Sequence, residues 1–152
     1  MGPPTPRVDV SSRFTKESLG GGAVQYRYLD PTGDGGHGLI MAIDSEGTLG
    51  FEIRAEGDAA TLGTGTDMFA SGMQRLSADG VQVNAIRGYW MEDSGSVNLQ
   101  QFTENLKIMD PQAAAANTWT GRIAGRYGYL QVSSPSTNMF GNTTVIFSKG
   151  TP

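Results

Sequence analysis

The residues best placed to do chemistry begin with a Gly-rich turn, Leu62-Gly63-Thr64-Gly65-Thr66-Asp67-Met68-Phe69. It stands between a strand expected over Gly50 to Ala55 and a helix expected to run to about Leu76. Glycines lack a Cβ, so a ligand can come close to the backbone. A helix start adds unpaired N–H groups and the positive end of the helix dipole. Gly63, Thr64, Gly65, Thr66 and Asp67 are therefore candidates for holding a phosphate-bearing cofactor. The plain alternative is a tight turn with Thr66 as helix N-cap. Trp90 and Glu92 follow the next expected strand, at a carboxyl end where ligands often bind. Glu92 can act as general base toward an amine, directly or through water, or is a solvated loop acid. Asn117-Thr118-Trp119-Thr120-Gly121-Arg122 is the densest polar and aromatic cluster. Asn117, Trp119 and Arg122 would line a substrate site, with Arg122 holding an anion. The alternative is a capped helix with Trp119 in the core. Arg27 and Arg87 sit on polar strand faces, where they meet phosphate or stay solvated.

Bulk composition narrows the chemistry. At 152 residues the chain is long enough for one domain with a single core. There is no cysteine, which removes disulfides, zinc–thiolate sites and thiol nucleophiles together. The lone histidine, His37, rules out a His-rich metal site, and a Ser-His-Asp triad would have to recruit that one ring. Net charge is −4, with no run of Lys or Arg, so neither a broad DNA-binding surface nor a metal centre is expected. No stretch is long and apolar enough to span a membrane as a helix. Met1 to Pro6 is Pro-rich, extended and expected not to pack, so residues 1–7 read as a linker remnant before a single domain over 8–152.

The elements that must position these residues follow from periodicity and punctuation. Val8 to Phe14 reads as a short strand. In Ala23 to Leu29, Val24, Tyr26 and Tyr28 share one face, as in a half-buried strand. Gly38 to Ile43, the turn Asp44-Ser45-Glu46-Gly47, and Thr48 to Ala55 form a hairpin. Phe69, Met73 and Leu76 make one apolar helix stripe, and Gly72 within it allows close packing on a sheet. Val81 to Trp90 is a strand with a bulge or kink expected at Gly88. Ser96 or Asn98 caps the next helix. Asp110-Pro111 starts another as N-cap and N1, and Thr118 can cap a second half running to Tyr127. Tyr129 to Ser133 and Thr143 to Ser148 are final strands. The fold class is α+β, a mixed twisted sheet with helices packed on it.

Two resemblances follow. Ile43 to Phe51 is similar to the hairpin of the GNAT fold of N-acyltransferases, Gly63-Thr64-Gly65 to its pyrophosphate loop, and Asn117 through Gly128-Tyr129 to its last helix and Gly-aromatic exit. The likeness covers roughly residues 39 to 148. Ala124 stands where the family carries a tyrosine, so Tyr127 and Tyr129 are the nearby candidates for the acid. This resemblance implies acetyl-CoA as cofactor and an amine acceptor, whether a small molecule, RNA or protein. The second likeness is to C-terminal toxin modules of bacterial polymorphic toxins of the Rhs and contact-dependent-inhibition type. It is carried by Gly65 to Phe69, Ile86-Arg87-Gly88-Tyr89-Trp90, Asn98-Leu99 with Phe102, and Ala115 to Arg122 with Ala124 and Gly128-Tyr129. It implies release from a larger secreted polypeptide, action in a target-cell cytoplasm, and a cognate immunity protein.

Three functions are open on the sequence. The first is a toxin with acyltransferase chemistry. The second is an ADP-ribosyltransferase or other NAD-consuming toxin, using Arg27 and one of Glu52, Glu56 or Glu92, with Ser133-Ser134-Pro135-Ser136-Thr137 in place of the usual Ser-Thr-Ser strand. The third is a non-enzymatic binding module.

Overall fold

The computed structural model describes residues 3–29, 37–55, 64–92 and 96–149, without the side chains of His37 and Ala55. The chain divides into a part over 3–83 and a part over 84–152. Its class is α+β, as expected, with mostly antiparallel strands.

In the first part, four strands pair in sequence order, each antiparallel to the next: β1 (Thr15–Gly20), β2 (Ala23–Leu29), β3 (His37–Ile43) and β4 (Thr48–Ala55). The alternation read from the sequence decides which face is covered. Tyr26, Tyr28, Leu39, Met41, Ile43 and Leu49 are buried on one side. Helix α1 (Thr64–Ala78) covers that side with Met68, Phe69 and Leu76. The β3–β4 turn forms because Asp44 Oδ1 accepts the N–H of Glu46 and of Thr48, and Gly47 supplies a φ of +83°. At Gly72 an added Cβ would meet Met41 Sδ and Leu39, so the missing side chain is what seats α1 on β3.

Residues before β1 do not form the expected strand. Asp9 Oδ1 accepts the Ser11 N–H and the chain enters a 3-10 turn, Ser11–Arg13. Val10 and Phe14 are buried, four apart rather than alternating. This segment runs along α1. Asp67 takes the Arg7 backbone N–H and Nε, at 3.3 and 3.0 Å. Ser71 Oγ, wholly buried, accepts from the Val10 N–H and donates to the Val8 carbonyl. Arg75 Nη1 donates to the carbonyls of Ser11 and Phe14. Arg7, the last residue of the expected linker, is exposed but tied to α1 by these bonds. Just past the end of α1, Asp79 Oδ2 accepts from Arg75 Nε and from the Tyr26 hydroxyl, at 3.0 and 2.7 Å.

In the second part, β5 (Ala85–Trp90) pairs antiparallel with β8 (Thr143–Ser148) over its whole length. β6 (Gln131–Val132) and β7 (Ser136–Thr137) pair with successive stretches of β8. The expected kink at Gly88 is absent from this register. Gly88 instead leaves room for the Trp90 indole, which a Cβ would meet at 3.0 Å. Three short helices connect the strands: α2 (Val97–Asn105), α3 (Pro111–Ala116) and α4 (Trp119–Arg126). Their starts are the expected ones. Ser96, Asp110 and Thr118 each accept an N–H from the third residue on, which satisfies a first-turn donor that no helical carbonyl reaches.

Candidate functional site

The candidate residues at the start of α1 fall partly within the described structure. Gly63 lies outside the described residues. Thr64, Gly65, Thr66 and Asp67 form the first turn of α1 and are half-buried. The helix therefore begins at Thr64, before the Thr66 cap read from the sequence. Asp67 is the acidic residue of that turn. Both its carboxylate oxygens are engaged by Arg7, with Nη2 at 2.9 Å completing the ion pair. Its charge is thereby balanced next to N–H groups that have no partner in their own helix.

Trp90 and Glu92 separate. Trp90 is buried and stacks obliquely on Phe102, with ring centroids 5.7 Å apart, so it supports the site from the core. Glu92 is exposed, and its backbone N–H donates to Asn142 Oδ1 at 3.0 Å. Asn142 Nδ2 donates in turn to the Tyr89 hydroxyl. The Glu92 carboxylate lies where a side chain at position 141 would be, and Gly141, with φ +81°, leaves that space. Glu92 borders two adjoining hollows. The larger, an open groove of about 500 Å³, is lined by Ser96, Leu99, Gln100, Thr103 and Glu104 as well. The smaller, about 270 Å³, adds Phe102, Leu106, Thr137, Gly141 and Thr143. The groove offers carboxylates, hydroxyls and an amide, with Leu99 as its apolar residue, a lining suited to a positively charged, partly aliphatic group. Lys107 pairs with Glu104 at 2.9 Å.

The cluster at 117–122 is occupied by the fold. Thr118 Oγ1 caps Gly121 and donates to the Ala115 carbonyl. Gln101 Oε1 accepts the Trp119 N–H at 2.7 Å, and Asn98 Oδ1 accepts the Thr120 N–H at 2.8 Å. Arg122 Nη1 donates to the Asn117 carbonyl, and Asn117 Nδ2 returns to Ala113. The first turn of α4 is thus closed by neutral oxygens. Asn117, Trp119 and Arg122 act together as a joint between α2, α3 and α4.

Tyr127 and Tyr129 follow α4. Burial pushes the Tyr127 phenol up to about 12, with Arg126 opposing weakly. Burial also raises Tyr129, whose ring carries Lys149 Nζ at 5.0 Å. Both are protonated at neutral pH, so they can donate a proton but not accept one.

Arg7, Asn98, Gln101, Asn142 and Gly141 were not singled out for these roles from the sequence. Asn98 and Gln101 are three apart on one helix and so share a face, which is a usable signal. Arg7 sits beside a Pro-rich stretch and gives none.

Compared with protein-family models, curated proteins and solved structures, the chain matches none of them.

Proposed function

We propose that this chain is a toxin-type effector domain that transfers an acyl group from acetyl-CoA to an amine. The observation that carries this reading is the first turn of α1. Its one acidic side chain is bound on both oxygens by Arg7, and a glycine stands within the turn. The pyrophosphate rests on the N–H groups of residues 64 to 67, where the Arg7 guanidinium cancels the Asp67 charge. The order of elements supports the same reading: antiparallel strands, a Gly-rich connection, a helix, a strand, helices and closing strands.

Glu92 is the base. It takes the proton of an ammonium group held in its groove. The freed amine attacks the thioester carbonyl, whose oxygen is polarised by backbone donors. The C–N bond forms and the C–S bond breaks. The departing thiolate takes a proton from Tyr127, Tyr129 or water, and the second proton of the attacking nitrogen returns to that donor as the amide forms. Release from a larger secreted polypeptide, action in a target-cell cytoplasm and neutralisation by an immunity protein belong to this proposal. Calorimetry tests it first. Acetyl-CoA should bind at micromolar concentration, and no heat with folded protein at high micromolar cofactor removes the cofactor assignment.

One pairing favours a second reading. Arg27 and Glu52 both flank Ile40, from the strands on either side of it. They share the sheet face opposite α1, about 10 Å apart between backbones. That arginine and glutamate suit an NAD-consuming enzyme. NAD loss on incubation, without acetyl-CoA binding, would favour it over acyl transfer.

A further inference from the structure

The two hollows beside Glu92 form one trough, because Glu92, Leu99 and Thr103 line both. From Ser96 to Glu104 the trough follows one face of α2, over about 12 Å of helix axis. Hydroxyl groups gather around Glu92. Thr137 and the buried Thr143 share one hydrogen bond, 2.9 Å between their Oγ1 atoms, and line the smaller hollow with Thr103. An ammonium group has three N–H donors, and a carboxylate together with hydroxyl oxygens accepts them. Among the described residues no basic side chain lines either hollow. Residues 127–148, which include the 137–143 side of the smaller hollow, contain no charged side chain.

The trough has a second carboxylate, Glu104, which Lys107 Nζ meets at 2.9 Å. Both side chains are more than half exposed, and an ion pair of that kind is easily exchanged. Lys107 therefore shows an alkylammonium seated on Glu104 that another can replace. Leu99, Phe102 and Leu106 offer apolar surface in the same trough, which suits the methylenes between two charged ends.

We propose that the trough binds a linear aliphatic diamine, with one ammonium at Glu92 and the threonine hydroxyls and the other at Glu104 in place of Lys107. A single-ended amine uses only the first position. For its chemistry this inference rests on the acyl-transfer reading: the end at Glu92 is the acceptor. Acetyl takes the place of one hydrogen there, that hydrogen leaves with the CoA thiol, and one proton is released. Binding of the diamine itself needs no acetyl-CoA.

Calorimetry on the full chain without cofactor tests this. Hexamethylenediamine and spermidine, charged at both ends, are compared with hexylamine, which has the single charge of a lysine side chain. At least one double-ended amine should bind about tenfold more tightly than hexylamine. Glu104→Gln should bring the double-ended amines down to the affinity of hexylamine and leave hexylamine unchanged. Glu92→Gln should weaken all three. Lys107→Ala should tighten the double-ended amines about twofold, because it removes the competitor for Glu104. Glu17→Gln, which removes the same charge from exposed β1, should change nothing. Circular dichroism confirms that each variant is folded. Hexylamine binding as tightly as both double-ended amines overturns the proposal, as does no binding of any of the three. So does double-ended binding that Glu104→Gln leaves intact or that Glu17→Gln weakens equally. Heat with acetyl-CoA but not with the amines removes this inference alone. Heat with the double-ended amines but not with acetyl-CoA removes the acyl-transfer reading and leaves the diamine site standing.

Discussion

Two helices of this protein begin in opposite ways. At α4 the N–H groups of Trp119, Thr120 and Gly121 are taken by Gln101, Asn98 and Thr118. All three acceptors are neutral oxygens. At α1 the first turn carries Asp67, and its carboxylate is engaged by Arg7 from a different segment. The polar cluster at 117–122 looks richer in sequence, yet its polar atoms are used up in joining three helices. The Gly-rich turn looks sparser, yet it brings glycine, a neutralised carboxylate and an arginine together. A dense group of functional-looking side chains therefore marks a structural joint as readily as a site.

The largest effect should come from Gly121→Val. An added Cβ would run into the Ala115 carbonyl and the Ala116 backbone, and backbone cannot swing aside. Overpacking of this kind costs about 3 kcal/mol or more. Urea unfolding should show it, and a loss below about 1 kcal/mol would mean that the α3–α4 joint can open to admit a side chain. Next comes Asn98→Ala, which strands the N–H of Thr120, a residue only 1% exposed. A loss of about 1–2 kcal/mol is expected, with no change in acetyl-CoA binding. Arg7→Ala should behave the other way round. The Arg7 side chain is 63% exposed, so stability should fall by less than about 1 kcal/mol. Acetyl-CoA affinity should drop about fivefold, because the Asp67 charge is then unbalanced at the helix start. Calorimetry of the pair of variants separates the two helix starts, and equal effects on cofactor binding would erase the contrast.

The smallest effect is a pH dependence, absent near neutral pH, from the titration of one buried phenol in each part. Tyr127 is raised by burial to about 12. Tyr26 is raised to about 12 by burial and then by its hydrogen bond to Asp79. Below the ordinary tyrosine value both are protonated, folded or unfolded. As pH rises past 10.0 the unfolded phenol loses its proton while the folded one keeps it until about 12. The unfolded chain then binds fewer protons, so stability falls with rising pH in that window. Urea midpoints across the window should decline in the parent and decline less in Tyr127→Phe. Tyr26→Phe should also cost stability at neutral pH, since it gives up the bond to Asp79.

The sequence discloses those elements whose two faces differ. β2, β3 and β4 alternate because one face meets α1, and Asp44 with Gly47 marks their turn. Ser96, Asp110 and Thr118 mark helix starts because their side chains do the capping. β1 left no such trace. All six of its residues are exposed, so nothing in Thr-Lys-Glu-Ser-Leu-Gly alternates. Val8 to Phe14 misleads for a related reason. Val10 and Phe14 are buried while Val8 is exposed, and Asp9 bends the chain into a turn. Glu92 could be picked out because it follows a strand. The smaller hollow beside it could not, since its lining is gathered from Glu92 and residues 99 to 106 with 137 to 143, and Gly141 contributes only space there. Trp90 was drawn to the site by sequence proximity, but Phe102 and Gly88 hold it in the core.

The arrangement of residues 7 to 14 along α1 has a mechanical consequence. Arg7 meets Asp67, Val8 and Val10 meet Ser71, and Ser11 and Phe14 meet Arg75. The anchors are four residues apart and so stack in a row along the helix, and the segment runs in the same direction as that row. A pull applied at Arg7, directed along the helix, loads the anchors in shear. They must then give way together, whereas a pull away from the helix would open them one after another like a zipper.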